Sequence, residues 1–246
     1  MNEPKLFSEA DMIDSIILKV KRGETPFFRF VQRIAKRIVA SNLPLPRALH
    51  PLLRGLFGLH QSVVAALRRA AIYFYGEPLF RGRCEEIGRR FTLHRMPYVI
   101  SHARIYIGDD VTFFGKVDIF SGRTLDSPRL LINDRVVIGH NVSFVVNREI
   151  VIEEDVLISS GVRFMDTDGH PRNLSERIEN LPPRPEEIKP VRICKNAWIC
   201  QDAFVLKGVT IGEGSVIGAN SVVVHDVPPF SLAAGNPAIV IKNLKG

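Results

Sequence analysis

Residues 193–228 read ICKNAW-ICQDAF-VLKGVT-IGEGSV-IGANSV-VVHDVP, which is six consecutive units of six residues. An aliphatic residue opens every unit, and a small or β-branched residue follows four positions later. This period fits neither an amphipathic helix, whose apolar residues recur every three or four positions, nor a strand with period two. It predicts a hexapeptide β-helix, in which short strands are joined by tight corners and three units make one coil.

The same unit occurs upstream, with slips in the spacing. Its apolar first positions are Ile107, Phe113, Ile119, Ile132, Ile138, Phe144, Ile152, Ile158 and Phe164. One such side chain per unit is expected to point into the prism, and the small residue is expected near a corner. Glycines directly after the inward residue, such as Gly108 and Gly139, are expected to ease the turns. The units predict about six or seven coils.

Residues 166–190 interrupt the repeat. This segment contains Pro171, Pro182, Pro183, Pro185 and Pro190. Proline cannot donate to a strand ladder, so the segment is expected to leave the prism as a long loop. Loops of this length on a rigid scaffold commonly carry function.

The first 80 residues have a helical pattern instead. Apolar Phe27, Phe30, Val31, Ile34 and Ile38 recur at spacings of three and four, and arginines occupy another face. This pattern predicts an amphipathic helix with a basic side. Proline at positions 44 and 46 is expected to break it, and a second helix is expected from about residue 49 until Gly76.

Net charge is distributed unevenly along the chain. The whole sequence carries 33 Lys+Arg and 26 Asp+Glu, a net charge of +7. Residues 1–84 hold 14 basic and 6 acidic residues, so 14 − 6 gives +8, and the remainder holds 19 and 20, so 19 − 20 gives −1. A nearly neutral prism does not favour a nucleic-acid partner. Three cysteines without metal-ligand spacing favour a reducing cytoplasm, and no apolar run is long enough to span a bilayer.

Several motifs occur in an order and spacing that resemble the hexapeptide-repeat O-acyltransferases. The resemblance is to the maltose/galactoside acetyltransferase branch and its relatives in polysaccharide biosynthesis, and it covers roughly residues 80–244. The motifs are Asp168-Gly169-His170-Pro171, Ala197-Trp198-Ile199, Lys207-Gly208-Val209-Thr210-Ile211-Gly212, Ile217-Gly218-Ala219-Asn220-Ser221-Val222-Val223, Asp226-Val227-Pro228-Pro229 and Ala234-Gly235-Asn236-Pro237-Ala238.

The resemblance implies a mainly β protein, with a left-handed parallel β-helix over residues 81–230 and an active-site loop at 166–190. A basic helical region at 1–80 would precede the β-helix, and a tail at 231–246 would follow it. The resemblance also implies a cytoplasmic homotrimer with active sites between subunits. Acetyl-CoA would be the co-substrate, and no metal is expected.

His170 is the expected catalytic base. A sugar hydroxyl is a poor nucleophile until its proton is removed, and imidazole titrates near neutral pH. The alternative is that Asp-Gly-His-Pro is only a turn. Asp166 and Asp168 are expected either to orient the imidazole and contact the acceptor or to cap turns. Asn147 is a further acceptor-contact candidate by resemblance.

The remaining site residues also follow from the resemblance. Trp198 would wall the cleft between donor and acceptor, and a backbone N–H near Gln201 could stabilise the oxyanion. The other residues expected to contact CoA are Lys207, Gly218, Ala219, Ser221, Val224, His225 and Lys242. Because no nucleophile constellation is present, direct transfer is favoured over an acyl-enzyme.

The predicted function is acetyl transfer from acetyl-CoA to a hydroxyl of a sugar or glycan intermediate. N-acetylation of an amino nucleotide sugar, a zinc enzyme of the carbonic anhydrase type and a non-catalytic scaffold subunit are the alternatives. For the basic helices of residues 1–80, peripheral contact with an anionic membrane and packing within the trimer both remain open.

Overall fold

The computed structural model describes residues 17–40 and 46–245, without the side chains of the last three residues of the first range. The predictions for residues 1–16, for a break at Pro44 and for the side chain of Ile38 therefore lie outside the described residues. Within the described part of the chain, no helix is long and apolar enough to cross a membrane.

The chain divides into two compact units, residues 1–61 and 62–246. The described residues of the N-terminal unit are mainly helical, and α2 extends across the boundary. Its elements are helical residues 17–22, α1 (Pro26–Ala40), a 3₁₀ turn (Arg47–Leu49) and the first part of α2 (His50–Ala71). The predicted amphipathic helix is confirmed as α1, and its Phe27 and Phe30 side chains are exposed.

The second helical stretch does not end at Gly76, contrary to the prediction, and helical structure continues to Arg83, just beyond the predicted helical region 1–80. A π-helical turn (Ile72–Gly76) connects α2 to α3 (Glu77–Arg83), and Gly76 itself keeps helical dihedral angles. The helix can continue through Gly76 because its φ and ψ lie in the right-handed helical region. Phe80 of α3 is buried, and its ring contacts those of Phe91 and Phe113 at centroid distances of 5.9 and 6.1 Å. The end of this helix therefore covers the first coils of the prism.

Short strands, parallel except for the last, build the prism of the second unit. In chain order they are β1 (Glu86–Ile87), β2 (Thr92–Leu93), β3 (Tyr98–Ile100), β4 (Arg104–Ile107), β5 (Thr112–Phe113), β6 (Val117–Phe120), β7 (Arg129–Ile132), β8 (Val137–Ile138), β9 (Val142–Val145), β10 (Glu149–Ile152), β11 (Leu157–Ile158), β12 (Arg163–Met165), β13 (Val191–Ile193), β14 (Trp198–Ile199), β15 (Phe204–Val205), β16 (Thr210–Ile211), β17 (Val216–Ile217), β18 (Val222–Val223), β19 (Ser231–Gly235) and β20 (Ala238–Asn243).

These strands form three sheets, and every third strand belongs to the same sheet. The first sheet is ordered β1-β4-β7-β10-β13-β16, and the third contains β3-β6-β9-β12-β15-β18. The second follows the same rule through β17 and ends with β19 and β20. Three strands per turn over β1–β18 give six coils. This agrees with the coil number that the six-residue period predicts.

The inward positions of the repeat form the core. Ile193, Ile199, Val205, Ile211, Ile217 and Val223 are all at most 1% exposed, as are the small residues Ala197 and Ala203. Burial of an aliphatic side chain of this size contributes roughly 1.5–3 kcal/mol. The core is thus a column of stacked side chains, which a parallel ladder keeps in register.

The corner glycines do not form the turns in the way that was predicted. Gly108 and Gly139 do not adopt positive φ, whereas corner residues such as Asp110, Asn141 and Asn196 do, with φ of 56–60°. Asp and Asn tolerate this left-handed conformation better than other residues with a side chain. A Cβ at Gly108 would lie 2.3 Å from the Asp134 carboxylate of the next coil. The role of these glycines is therefore to let neighbouring coils stack closely. The left-handed turn conformation is adopted by the Asp and Asn residues.

The predicted tail is built into the second sheet. β19 pairs in parallel with β17, and β20 turns back to pair antiparallel with β19. The buried Ser221 hydroxyl accepts a hydrogen bond from the Gly235 N–H at 3.1 Å.

Candidate active site

The excursion loop leaves the prism after β12 and returns at β13. It contains the short helix α4 (Leu174–Ile178) and a 3₁₀ turn (Pro185–Glu187). The Asn173 side chain caps α4 by accepting hydrogen bonds from Ser175 N and Glu176 N. Prolines exclude strand pairing here, so the loop has to satisfy its backbone by other means.

Side chains of the prism and the loop bind the loop's carbonyl groups. Arg148 donates to Pro185 O at 2.8 Å, and Lys207 donates to Glu187 O at 2.7 Å. The other such bonds are Arg123 to Asn180 O (3.1 Å), Thr124 to Pro183 O (2.9 Å) and Arg177 to Pro171 O (3.2 Å). Spread along the segment, these bonds fix its path over the prism.

His170 lines a cleft between the loop and the third sheet. The cleft has a volume of about 310 Å³, and Phe120, Asn147, Thr167 and Pro183 are among its other lining residues. The imidazole is exposed, and no hydrogen-bond partner is present for it in the described part of the chain. An unengaged imidazole beside a small cleft can take a proton from a bound acceptor.

Asp166 is placed behind the cleft wall rather than in the cleft. Its carboxylate is fully buried and accepts hydrogen bonds from Asn147 N (2.8 Å), Arg148 N (2.6 Å) and Glu149 N (2.9 Å). Burial raises the pKa of this carboxyl, and the backbone donors oppose the increase. The expectation that Asp166 contacts the acceptor or the imidazole is therefore replaced by the turn-capping alternative.

Asn147 takes part in the Asp166 turn cap through its backbone N–H, and it also lines the cleft. Its Oδ1 accepts a hydrogen bond from the Gly122 N–H at 2.6 Å, and the residue is 4% exposed. A Cβ at Gly122 would lie 2.1 Å from Asn147 Oδ1, so only glycine fits at this corner. Asn147 and His170 line the same cleft, and Asn147 also fixes the corner that carries Arg123.

Asp168 and Lys207 hold the loop to the prism. The Lys207 ammonium lies 2.6 Å from the Asp168 carboxylate, which also pairs with Arg172 at 3.2 Å. Partial burial alone would raise the pKa of the Asp168 carboxyl, but Lys207 and Arg172 hold it below its ordinary value. Lys207 was expected to contact CoA, but its side chain is only 11% exposed and its ammonium is already engaged. The structure places it as a loop anchor.

A second groove brings together Trp198, which was expected to wall the cleft between donor and acceptor, and two residues expected to bind the donor. Trp198, Gln201 and Ala219 line a groove of about 540 Å³ on the second sheet, together with Phe114 and His140. The Trp198 indole is 45% exposed, and its Nε1–H donates to Ser159 Oγ at 3.2 Å. The Gln201 amide donates to Asp202 at 3.1 Å and is exposed.

The other predicted CoA-contact residues lie elsewhere. Gly218 faces Ala234 of β19, since a Cβ there would lie 2.7 Å from Ala234 Cβ, and Ser221 also supports this hairpin. Val224 is half-buried, and His225 and Lys242 are exposed near the C-terminal end. None of them lines the His170 cleft or the Trp198 groove.

Sequence reasoning missed Gly122 and Arg123, which line the cleft, and Thr124, which holds the loop beside it. They occupy the corner after β6, where the hexapeptide spacing slips, so the repeat gives no signal for them. His140 and Phe114 were also missed as groove residues. Among the described residues, no three His, Cys, Asp or Glu side chains are arranged to hold a metal ion.

Residues 190–225 match the family of bacterial transferase hexapeptide repeats (six repeats). Comparison with curated proteins finds no match. Among solved structures, the fold is similar to the hexapeptide-repeat-containing acetyltransferase VCA0836 from Vibrio cholerae, at 25% identity with a TM-score of 0.51. That match covers 80% of this chain and 93% of the other.

A mutant of AntD, an N-acyltransferase from Bacillus cereus in complex with dTDP and coenzyme A, is also similar in fold. It has 18% identity and a TM-score of 0.55, with 70% of this chain and 91% of that chain covered. The family match and the resemblance to VCA0836 confirm the predictions of a hexapeptide-repeat fold and of an acyltransferase enzyme. The chain thus carries the hexapeptide repeat of bacterial transferases on the left-handed β-helix of hexapeptide-repeat acyltransferases.

Proposed function

We propose that the protein is an acetyl-CoA-dependent O-acetyltransferase that modifies a hydroxyl of a sugar or glycan intermediate, in the manner of the maltose/galactoside branch. The observation that carries this proposal is the unengaged imidazole of His170 beside a cleft of about 310 Å³. A cleft of this size accommodates about one sugar ring, and an acceptor hydroxyl there needs a base to become nucleophilic.

His170 takes the acceptor proton as the hydroxyl oxygen attacks the thioester carbonyl carbon. The carbon–sulfur bond then breaks, and the proton passes to the leaving thiolate. Direct transfer is supported by the state of the cysteines in the described chain. Burial raises the pKa of Cys84 to about 12 and also raises the pKa values of Cys194 and Cys200, so these thiols stay protonated at neutral pH.

Acetyl-CoA fits the groove that Trp198, Gln201 and Ala219 line, because an indole wall and a small residue leave room for a thin pantetheine arm. This groove and the His170 cleft share no lining residue. A homotrimer in which one subunit's cleft meets a neighbour's groove would bring donor and acceptor together. Sedimentation equilibrium tests the assembly, and a catalytically competent monomer would contradict it.

Polysaccharide biosynthesis at the cytoplasmic face of a membrane is the proposed setting. In α2, Leu52, Leu56, Leu59, Val63 and Leu67 recur on one side and are all exposed. Its arginines lie on the opposite side, which suits a helix lying in an anionic lipid surface. Flotation with anionic vesicles tests this setting, with neutral vesicles as the control. Absence of salt-sensitive flotation would favour packing within the trimer.

The activity is tested with a panel of sugars and amino sugars incubated with acetyl-CoA, with His170→Ala as the control and mass spectrometry as the readout. An acetyl ester formed by the wild type alone supports the proposal. An amide product would identify an N-acetyltransferase. No product together with no CoA binding by calorimetry would indicate a scaffold subunit.

A further inference from the structure

The His170 cleft has one permanent charge on its wall. Arg123 lines the cleft, and no carboxylate side chain is among the other lining residues. The remaining polar groups there are neutral hydroxyls and amides, such as Ser121, Asn147 and Asn180, together with His170 itself. The cleft is therefore cationic even when the imidazole is neutral.

The guanidinium of Arg123 is only partly used within the protein. Its Nη2 donates to Asn180 O at 3.1 Å, and it makes no ion pair with the described residues. A guanidinium has five N–H donors arranged in a planar fork. Most of these donors are therefore available at the wall of the cleft.

Two carboxylates of the loop are committed to other partners. Asp166 is fully buried under three backbone N–H groups, and Asp168 is paired with Lys207 and Arg172. No carboxylate of the described residues forms an ion pair with Arg123, whose one hydrogen bond goes to Asn180 O. The charge of Arg123 thus remains for a ligand.

Resting on the proposed function, we propose that the acceptor is an anionic sugar whose carboxylate or phosphate pairs with Arg123 while a hydroxyl of the same molecule faces His170. Both anions accept two parallel N–H bonds from a guanidinium, and such bidentate pairs fix orientation as well as affinity. Arg123 would therefore select the acceptor and set which hydroxyl meets the base.

The test compares acceptors built on one glucose ring that differ in charge and in the group at C6 or C1. Methyl glucuronide lacks the 6-hydroxyl, whereas glucose 1-phosphate keeps it. Methyl glucoside serves as the neutral probe, methyl glucuronide presents a carboxylate, and glucose 1-phosphate presents a phosphate. We expect kcat/KM for the better anionic probe to exceed that for the neutral probe by about tenfold or more, since a charged hydrogen bond contributes about 1.5–3 kcal/mol. The two anionic arms distinguish carboxylate from phosphate.

Arg123→Gln removes the charge and keeps an N–H donor on a shorter side chain. We expect this variant to lower kcat/KM for the anionic probe more than for the neutral one, so that the ratio of the two falls toward one. Thr124→Val is the matched control, since it removes the bond to Pro183 O at the same corner without changing charge. It should leave the ratio of anionic to neutral kcat/KM unchanged.

The outcomes separate the two proposals. Equal turnover of neutral and anionic probes, or an unchanged ratio in Arg123→Gln, overturns the anionic acceptor and leaves acetyl transfer standing. A ratio that also collapses in Thr124→Val means that loop position, not charge, sets the preference. If no probe is acetylated and acetyl-CoA does not bind, the proposed function fails and this inference fails with it.

Discussion

The coils of the prism and the excursion loop are held together in different ways. Each coil is fixed by parallel ladders and by one buried apolar side chain per unit, such as Ile158 in β11. The loop 166–190 has no ladder and is tied by cationic and hydroxyl side chains to its own carbonyls. The prism is thus a repetitive, cooperative structure, whereas the loop depends on a few individual contacts.

Because of this difference, substitutions in the prism should change stability, and substitutions in the loop should change catalysis. A change inside the prism should affect folding, because neighbouring coils share every core contact. A change in the loop should affect turnover, since the loop carries His170 and bounds its cleft. Substitutions placed in one region or the other therefore have effects of different kinds.

The largest effect expected in the loop is that of His170→Ala. Loss of a general base lowers kcat by roughly 10²–10⁴. The unfolding midpoint should not change, because the imidazole makes no hydrogen bond with the described residues. Steady-state kinetics and urea denaturation of the same preparation measure both.

His225→Ala is the control for this substitution, because His225 is exposed and lies outside the loop and the cleft. It should change the KM for acetyl-CoA at most. A near-wild-type kcat in His170→Ala would show that His170 is not the catalytic base.

Within the prism, Ile158→Ala should have the largest effect on stability. Ile158 is fully buried, and truncation of a buried isoleucine costs about 2–5 kcal/mol of the free energy of unfolding. Leu157→Ala on the same strand is the matched control, because Leu157 is 42% exposed and should cost about 0.5 kcal/mol or less. Similar losses in both variants would contradict the inward assignment.

The sequence was sufficient for the prism because its information is periodic. Each inward residue repeats the same physical requirement, so one slip in spacing, as near Asn147, does not obscure the pattern. The cleft was harder to predict. That Asp166 caps a turn and that Arg123 reaches Asn180 O depend on residues 17 or more positions apart meeting in space. No local pattern encodes such contacts, so resemblance could suggest Asn147 and His170 but not their surroundings.

Lys207→Met should show whether this lysine serves the loop or the donor. Because its ammonium holds Asp168 and Glu187 O, we expect kcat to fall roughly tenfold with little change in the KM for acetyl-CoA. Lys242→Met is the comparison, since Lys242 is exposed on β20, where the resemblance places the CoA phosphates. Lys242→Met should raise the KM for acetyl-CoA and leave kcat unchanged. A raised KM for acetyl-CoA with normal kcat in Lys207→Met would show instead that Lys207 contacts the donor.

The smallest effect should come from pH acting on the Asp168 anchor. Because the pKa of Asp168 is lowered in the folded state, its contribution to stability is complete above the unfolded-state pKa of about 3.9 and is lost as pH falls through the folded value. Asp168→Asn should therefore be less stable than wild type at pH 7, and the difference should shrink at pH 3. The carboxylate is 39% exposed, so solvent screening keeps the difference near or below about 1 kcal/mol. In a Lys207→Met background the pH dependence should weaken, as a double-mutant cycle would measure. A difference that grows as pH falls would mean that Asp168 does not anchor the loop.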